Sequence, residues 1–294
     1  TKIVTHSSFL DELINTIWFT ENPHGDVSFT PTFIVSQLAS EHLKVVLTGD
    51  GGDEIFGGYD KYTDYKYNTS LSGNQNFYNY INNNSVFSKE QKKSLYSTEY
   101  LKKHTFYDPI ECIVKKYDKV HKNDFINKIL YFDTDYLLEG NNLVKPDRMG
   151  MANSIEARYP LLDYRIIDYI FNLHSDQKIN SNKKIILKEM LLEDFDDNFI
   201  NRKKQMFTVP IGEWLKSEDF YRKVLIIFNS NAFKERNLYD NDVVNKMLYE
   251  HKQGISNYTR QLRLLLIIEL WFRIYIDTDY DHKPSSKDIL KELF

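Results

Sequence analysis

Cysteine is almost absent from the 294-residue sequence, in which Cys112 is the single one. One thiol cannot form an internal disulfide, so a disulfide-stabilised secreted domain is excluded and a cytoplasmic, reducing location is expected. A long apolar run is lacking as well. The most apolar stretch, 264–271, contains Glu269 and is far shorter than the roughly 18 residues that a membrane helix needs. We therefore expect no membrane-spanning segment.

An excess of positive charge is also absent, since the formal net charge is −4 and the pI is near 6.1. Proteins that bind nucleic acid usually carry a basic surface, so we expect no nucleic-acid partner. Hydrophobic residues make up 41% of the sequence, which is typical of a globular protein. An initiator methionine is lacking at Thr1, and we expect the chain to be processed, trimmed or partial.

The most informative stretch that is present is VVLTGDGGDEIFGGY, residues 45–59. Its apolar start, 45–47, predicts a buried parallel strand, and the glycines that follow allow a tight turn close to a ligand. Three carboxylates in this loop, those of Asp50, Asp53 and Glu54, would repel one another without a cation or a donor-rich ligand. A plain surface turn is the alternative at this point. A calcium-binding EF-hand loop is excluded, because the acidic residues do not alternate.

The surrounding sequence predicts an α/β fold followed by a mainly helical region. Apolar residues at helical spacing predict helices over 9–19 and 260–276. Residues 45–47 form the only convincing strand, and because an apolar strand belongs inside a sheet, we expect its neighbours to lie outside this chain. The predicted regions are an α/β core over 1–62, a helical surface insertion over 63–128, a helical remainder over 129–276 and a polar tail over 277–294.

Two charged segments follow in the second half of the chain. LVKPDRMGMANSIEARYPLLD, residues 143–163, interleaves charges with core-type residues, which predicts partly buried ion pairs. Its charged residues are Lys145, Asp147, Arg148, Glu156, Arg158 and Asp163. Later, the basic residues 202–204 precede a loop broken by Pro210 and Gly212. These basic residues form either a solvated face or a phosphate site.

Three segments in this order resemble one family. HGDVSFTPTFIVSQLASEHLKVVLTGDGGDEIFGGY, residues 24–59, resembles the pattern D-x-S-x-x-P, a helix, and L-S-G-(D/E)-G-x-D-E-x-F-x-G-Y of the asparagine synthetase C-terminal domain. Residues 143–163 resemble that family's L-x-K-x-D-R-x-x-M-A-x-x-x-E-x-R-x-P-x-L-D, and NRKKQMFTVPIGEW, residues 201–214, its R-x-K-x-x-F-x-x-P. Agreement extends to LLLIIELWFR, residues 264–273, so the resemblance covers nearly the whole chain.

The resemblance implies an ATP pyrophosphatase fold of the adenine-nucleotide α-hydrolase type, of which this chain holds a partial parallel sheet. It also implies an enzyme that activates a substrate carboxylate at the α-phosphate of ATP, releases pyrophosphate and transfers the acyl group to an amine. ATP and Mg²⁺ are the implied cofactors. An in-line displacement at phosphorus mainly needs its developing charge neutralised, which suits a magnesium ion and a lysine.

The resemblance also implies roles for individual residues. Thr48 and Gly49 match positions whose main chain contacts the nucleotide, and Asp50 matches the acidic position beside the reaction centre. Asp53 matches the carboxylate that holds Mg²⁺ and pyrophosphate. Lys204 matches the lysine that stabilises the pentacoordinate phosphorus. The six charged residues of 143–163 match family positions that we assign to framing the site through ion pairs.

Two parts of the family pattern are not found in this sequence: the ATP-cradling S-G-G-x-D-S turn and the N-terminal glutaminase domain with its leading cysteine. Two explanations compete. Either a missing N-terminal segment or partner chain completes a functional ligase, or the chain is a truncated, non-catalytic remnant that serves as a binding or scaffold module. We favour the ligase, because the charges of Asp50, Asp53 and Lys204 are costly to hold together without a ligand.

The resemblance leaves the substrates open. The carboxylate is aspartate or a similar small molecule, and the nitrogen comes from ammonia or from glutamine. Enzymes of sugar amidotransfer and peptide cyclisation share the same signature and form different amides. A homodimer is also left open.

Overall fold

The computed structural model describes residues 6–26, 28–68, 73–120, 124–180, 182–202, 207–278 and 280–293, and of residues 6, 7 and 68 it describes the main chain alone. Within these ranges the chain is mainly helical with a short parallel sheet, formed by β1, Val45–Leu47, and β2, Glu156–Arg158. The α-helices are α1 His6–Thr20, α2 Phe29–Ser40, α3 Gly52–Phe56, α4 Asp60–Asn68, α5 Asn74–Asn84, α6 Lys89–Leu95, α7 Thr98–Lys103, α8 Pro109–Lys116, α9 Phe125–Phe132, α10 Val144–Met151, α11 Tyr164–Asn172, α12 Ile185–Leu191, α13 Asp197–Ile200, α14 Ile211–Trp214, α15 Glu218–Asn229, α16 Asn231–Glu235, α17 Asn241–Lys252, α18 Thr259–Tyr275 and α19 Ser286–Ile289. A π-helix spans Asp133–Asn142, and 3-10 helices span Pro160–Leu162, Ser175–Gln177 and Lys291–Leu293.

The sheet pairs β1 with β2 in parallel, with Val46 opposite Ala157 and Leu47 opposite Arg158. The ladder continues one residue past β1, because Thr48 N–H donates to the Arg158 carbonyl at 2.9 Å. The prediction that 45–47 is the only convincing strand was wrong. Residues 156–158 read Glu-Ala-Arg, and their charges concealed a strand that has no apolar pattern.

The expected burial of β1 was also wrong for this chain, since Val45 is 40% and Leu47 is 73% exposed. β1 is followed by α3, and further helices connect α3 to β2, which pairs in parallel with β1. This arrangement is consistent with an α/β fold. The more specific ATP pyrophosphatase fold stays a prediction.

The two helices predicted from apolar spacing are confirmed as α1 and α18. Among the described helices, none combines the length and the apolarity of a membrane span.

Contacts between Cα atoms divide the chain into two compact units, each built from distant segments. Unit 1 comprises Thr1–Glu41, Asn84–Asp108 and Phe207–Phe294, and unit 2 comprises His42–Asn83 and Pro109–Met206. The boundaries of these units differ from the region boundaries predicted at residues 62, 128 and 276. The predicted regions stay a prediction.

Unit 1 is a helical unit whose core is formed by apolar faces of α1, α15, α17 and α18. Unit 1 also contains an ion-pair network around Glu269 of α18. Glu269 is 1% exposed and accepts hydrogen bonds from Arg236 Nε and Arg273 Nε, each at 2.7 Å. Residues 277–294, predicted as a polar tail, contribute buried Ile289 and Leu290 to the core. The Ile289 carbonyl accepts from Arg273 Nη1 at 3.1 Å, which ties this segment to α18.

Among its described residues, unit 2 holds the sheet and two apolar clusters. The larger cluster is rich in aromatic residues and includes Tyr62, Phe77, Tyr80, Leu130 and Phe132. The buried carboxylate at the start of the π-helix, that of Asp133, accepts hydrogen bonds from the hydroxyls of Tyr62 and Tyr80 at 2.7 and 2.6 Å. The smaller cluster contains Ile55 and Phe56 of α3, and it anchors the glycine loop that follows β1.

Candidate active site

The glycine loop, residues 48–52, joins the carboxyl end of β1 to α3. Gly51 adopts a left-handed conformation with φ +86, and a Cβ at this position would overlap the Leu162 side chain. Glycine is therefore required both by the backbone and by the close packing of the loop on the Pro160–Leu162 turn. The loop is further closed by Gly52 N–H, which donates to the Gly49 carbonyl at 3.3 Å.

The predicted nucleotide-binding residues lie along this loop. Thr48 caps the ladder, and its Oγ1 accepts from Asp50 N–H at 3.4 Å. Gly49 is exposed, and Asp50 is half-buried. Their main-chain and carboxylate groups are thus held at the carboxyl end of a parallel strand, which is where ligands bind in open α/β sheets.

Asp53 lies in the first turn of α3 and faces a lysine that the sequence did not single out. Its Oδ1 is 2.8 Å from Lys184 Nζ, and the two side chains are 22% and 32% exposed. Lys184 precedes α12 and is distant in sequence, so neither spacing nor periodicity pointed to this pair. The neighbouring lysine, Lys183, pairs with Asp60 on the surface.

Glu54, the third carboxylate, is buried and accepts hydrogen bonds from two neighbouring side chains. It is 2% exposed, and its Oε1 accepts from Tyr59 Oη and from Asn142 Nδ2, each at 2.6 Å. Burial raises the pKa of Glu54, although the hydrogen bond from Tyr59 opposes that rise. The expected repulsion is present between neighbours, because the Asp53 carboxylate also raises the pKa of Glu54. The hydrogen bond from Asn142 to Glu54 fixes α3 to the last residue of the π-helix.

A tyrosine lies near Asp50 at the same end of the sheet. Tyr159 directly follows β2, and burial, together with the carboxylates of Asp50 and Asp147, raises the pKa of Tyr159 to about 12. The phenol therefore stays protonated at neutral pH and can donate a hydrogen bond there. Asp147 lies on α10, which leads into β2. Tyr159 itself was not predicted as a site residue.

The two charged residues on β2 are more exposed than expected. Glu156 and Arg158 form a pair at 2.8 Å with side chains 55% and 61% exposed, and Asp163 pairs with Arg165 at 2.7 Å on the surface. The prediction of ion pairs is confirmed for these residues. Their predicted partial burial is confirmed for Asp163, which is 32% exposed, and was wrong for Glu156 and Arg158.

The predicted catalytic lysine, Lys204, lies outside the described residues, as does Lys203. The described end of that basic segment, Arg202, places its guanidinium 4.6 Å from the centroid of the Phe199 ring. The role of Lys204 therefore stays a prediction.

The donor set suits Mg²⁺ carried by a nucleotide better than an isolated metal ion. Among the described residues, no group of three or more His, Cys, Asp or Glu side chains is arranged as a metal site. Mg²⁺ bound with a nucleotide commonly needs one or two carboxylates, because phosphates and water fill the other positions. Asp53, with Asp50 nearby in the loop, supplies carboxylates of that kind.

Comparisons with known proteins agree on one family. The asparagine synthase family model matches residues 1–273. Glutamine-hydrolyzing asparagine synthetase 1 of Bacillus subtilis (strain 168) is 27% identical over 97% of this chain and 50% of its own length. Glutamine-hydrolyzing asparagine synthetase 3 of the same organism is 25% identical over 73% of this chain and 36% of its own length. The amidase chry2 of Gibberella zeae is 20% identical over 68% of this chain and 37% of its own length. The chain thus spans half or less of the length of these relatives.

Proposed function

The chain belongs to the asparagine synthase family, and from that premise we propose that it is the synthetase part of an ATP-dependent amide-forming ligase. The proposal rests mainly on the glycine loop at the carboxyl end of β1, the strand that pairs in parallel with β2. Asp50 lies in this loop, and Asp53 lies in the first turn of α3, which follows it. A ligand-binding loop at this place is what an α/β nucleotide site requires.

The proposed reaction has two steps. An oxygen of the substrate carboxylate attacks the α-phosphorus of ATP, and pyrophosphate leaves, which gives an acyl-adenylate. Ammonia or another amine then attacks the acyl carbon, and AMP leaves with the carboxylate oxygen that formed the bridge. The amide product retains the other carboxylate oxygen.

The residues of this chain would act mainly by positioning and by neutralising charge. The main chain of Thr48 and Gly49 contacts the nucleotide, and Asp50 lies beside the reacting carboxylate. Asp53 would hold Mg²⁺, and a magnesium ion there would supply positive charge to the departing pyrophosphate. Lys204 supplies a mobile positive charge to the phosphorus and then to pyrophosphate.

The substrates and partners are part of the same proposal. The relatives from Bacillus subtilis are named as glutamine-hydrolyzing, and we propose that the nitrogen of this reaction is ammonia released from glutamine by a segment or partner outside this chain. Aspartate is the first carboxylate to test. A cytoplasmic location is proposed with them, and a homodimer remains open.

The proposal is tested by the exchange of radiolabelled pyrophosphate into ATP, measured on the protein encoded by the full-length gene. We expect exchange that depends on aspartate or on another small carboxylate in a panel. Exchange with none of them would refute the ligase and would support a non-catalytic binding module.

The role of Lys204 is tested in the same assay. Lys204→Met should abolish exchange while the circular dichroism spectrum and the melting temperature stay unchanged, and Lys203→Met is the matched control. Equal exchange in both variants would refute the assignment of Lys204.

A further inference from the structure

We propose that Lys184 is a positioning residue that keeps Asp53 occupied until a metal–nucleotide complex arrives. The inference rests on the proposed function, in which Asp53 binds Mg²⁺ and pyrophosphate. It adds a residue that neither the sequence patterns nor the family comparison assigned, and it explains how the site would choose the metal–nucleotide complex over free metal.

The contact between Lys184 and Asp53 is a built feature of unit 2. Lys184 Nζ lies 2.8 Å from Asp53 Oδ1, so the ammonium occupies one of the directions in which this carboxylate can bind a cation. Both side chains are partly shielded from solvent, at 32% and 22% exposed. The pair joins α3 to the residue that precedes α12.

The backbone of Lys184 is held in a conformation that it would not adopt freely. Its φ of 55 and ψ of 42 lie in the left-handed region, which costs a non-glycine residue on the order of 1 kcal/mol or more. Such a conformation persists only where the surroundings impose it. The carbonyl of Lys184 accepts from Lys188 N–H at 2.9 Å, so the strained residue directly starts the helix.

Gly58 makes room for the pair. A Cβ at Gly58 would overlap both Asp53 Oδ1 and Lys184 Cε, so any side chain at this position would push the pair apart. The lysine side chain therefore runs across a surface that glycine keeps open.

The neighbouring lysine shows what an ordinary surface pair looks like in the same segment. Lys183 pairs with Asp60, whose side chain is 82% exposed. Ion pairs of that kind contribute little and exchange readily with water and salt. Lys183 therefore provides a matched control, with the same side chain one residue away.

The charge arrangement implies selectivity between two forms of the metal. A free divalent cation gains less from Asp53 while an ammonium neutralises this carboxylate and repels the cation. A metal bound to a polyphosphate brings its own negative charge, which offers the ammonium of Lys184 a second partner. Lys184 thus weakens the binding of free metal and does not weaken the binding of the metal–nucleotide complex.

The test is the binding of Mn²⁺ alone to the full-length protein, followed by the electron paramagnetic resonance signal of free Mn²⁺. Lys184→Met should bind Mn²⁺ about tenfold more tightly than wild type, given the strength of a charge–charge interaction at this distance in a partly shielded site. Lys184→Arg should stay near wild type, because it retains the charge, and Lys183→Met should be unchanged. The gain should disappear in the double variant Lys184→Met with Asp53→Asn.

A separate variant guards against a failure of Lys184→Met to fold. Gly58→Ala keeps both charged residues but should separate them, and it should therefore also tighten Mn²⁺ binding. Mn²⁺ affinities of Lys184→Met or Gly58→Ala equal to that of Lys183→Met would overturn the inference, and so would a gain that survives in the double variant. Pyrophosphate exchange by wild type, measured in parallel, tests the proposed function separately. If wild type exchanges but Lys184→Met and Gly58→Ala bind Mn²⁺ as Lys183→Met does, only the inference about Lys184 is overturned. If wild type does not exchange, the proposed function is overturned.

Discussion

Lys178 provides a prediction about the stability of unit 2. Its side chain is fully buried, and among the described residues its Nζ has no hydrogen-bond partner. The ammonium lies 4.7 Å from the centroid of the Phe171 ring. Burial lowers the pKa of Lys178 to about 8, although the carboxylate of Asp124 opposes that change. We predict that Lys178→Met, which keeps the length of the side chain and removes its charge, stabilises the protein at neutral pH.

The magnitude follows from that pKa. A fall from 10.5 to about 8 corresponds to about 3 kcal/mol that the native state loses by keeping the ammonium buried and charged. The contact of the ammonium with the Phe171 ring recovers up to about 2 kcal/mol, and methionine does not replace it. The expected net gain in the free energy of unfolding is therefore about 1–3 kcal/mol at neutral pH.

The gain should depend on pH in one direction. Between pH values of about 8 and 10.5, the unfolded chain binds more protons at this lysine than the native chain does, so the stability of the wild type rises with pH. The difference between Lys178→Met and wild type is then fully present below about pH 8 and declines towards pH 10.5. Other titrating groups contribute equally to both proteins and cancel in this difference.

The assay is urea denaturation of wild type, Lys178→Met and the exposed control Lys115→Met, near neutral pH and again near the upper end of this window. Lys115→Met should change stability little at either pH. A Lys178→Met variant that is less stable than wild type at neutral pH, or a difference that does not change with pH, would refute the reasoning.

Two further predictions concern packing. Glu269→Ala should lower the free energy of unfolding by about 3–5 kcal/mol, because it leaves the nearly buried Arg236 and Arg273 without their shared carboxylate; a loss below about 1 kcal/mol in urea denaturation would contradict this. Gly51→Ala should destabilise the protein by about 1–3 kcal/mol and reduce pyrophosphate exchange, because of its positive φ and the overlap with Leu162. Gly140→Ala, where the added methyl group meets open space, is the control, and equal behaviour of the two variants would refute the requirement for glycine.

The parts of the fold that the sequence predicted are those in which one element carries its own signal. Residues 45–47 are apolar and directly precede the glycine loop, so β1 and the loop were indicated together. The long apolar periodicity of 260–276 likewise indicated α18. In each case, the residues that determine the structure are neighbours in sequence.

The parts that could not be predicted depend on contacts between distant residues. β2 is a strand because β1 offers it a hydrogen-bonding edge, and its Glu-Ala-Arg sequence has no apolar pattern to reveal it. Lys184 reaches Asp53 only because α12 packs near α3, and a lysine before a helix is otherwise ordinary. From the sequence, Glu54 could not be distinguished from a carboxylate that binds a ligand. Its burial and its hydrogen bond from Asn142 are visible only in three dimensions.

The central claim, activation of a carboxylate by AMP transfer, is tested most directly with heavy oxygen. The full-length protein would be supplied with ATP, a nitrogen donor and aspartate labelled with heavy oxygen in its side-chain carboxylate, and the AMP formed would be analysed by mass spectrometry. Attack of the carboxylate on the α-phosphorus should give AMP that carries a heavy oxygen atom derived from the carboxylate. AMP without label, or the formation of ADP and phosphate in its place, would rule out this attack.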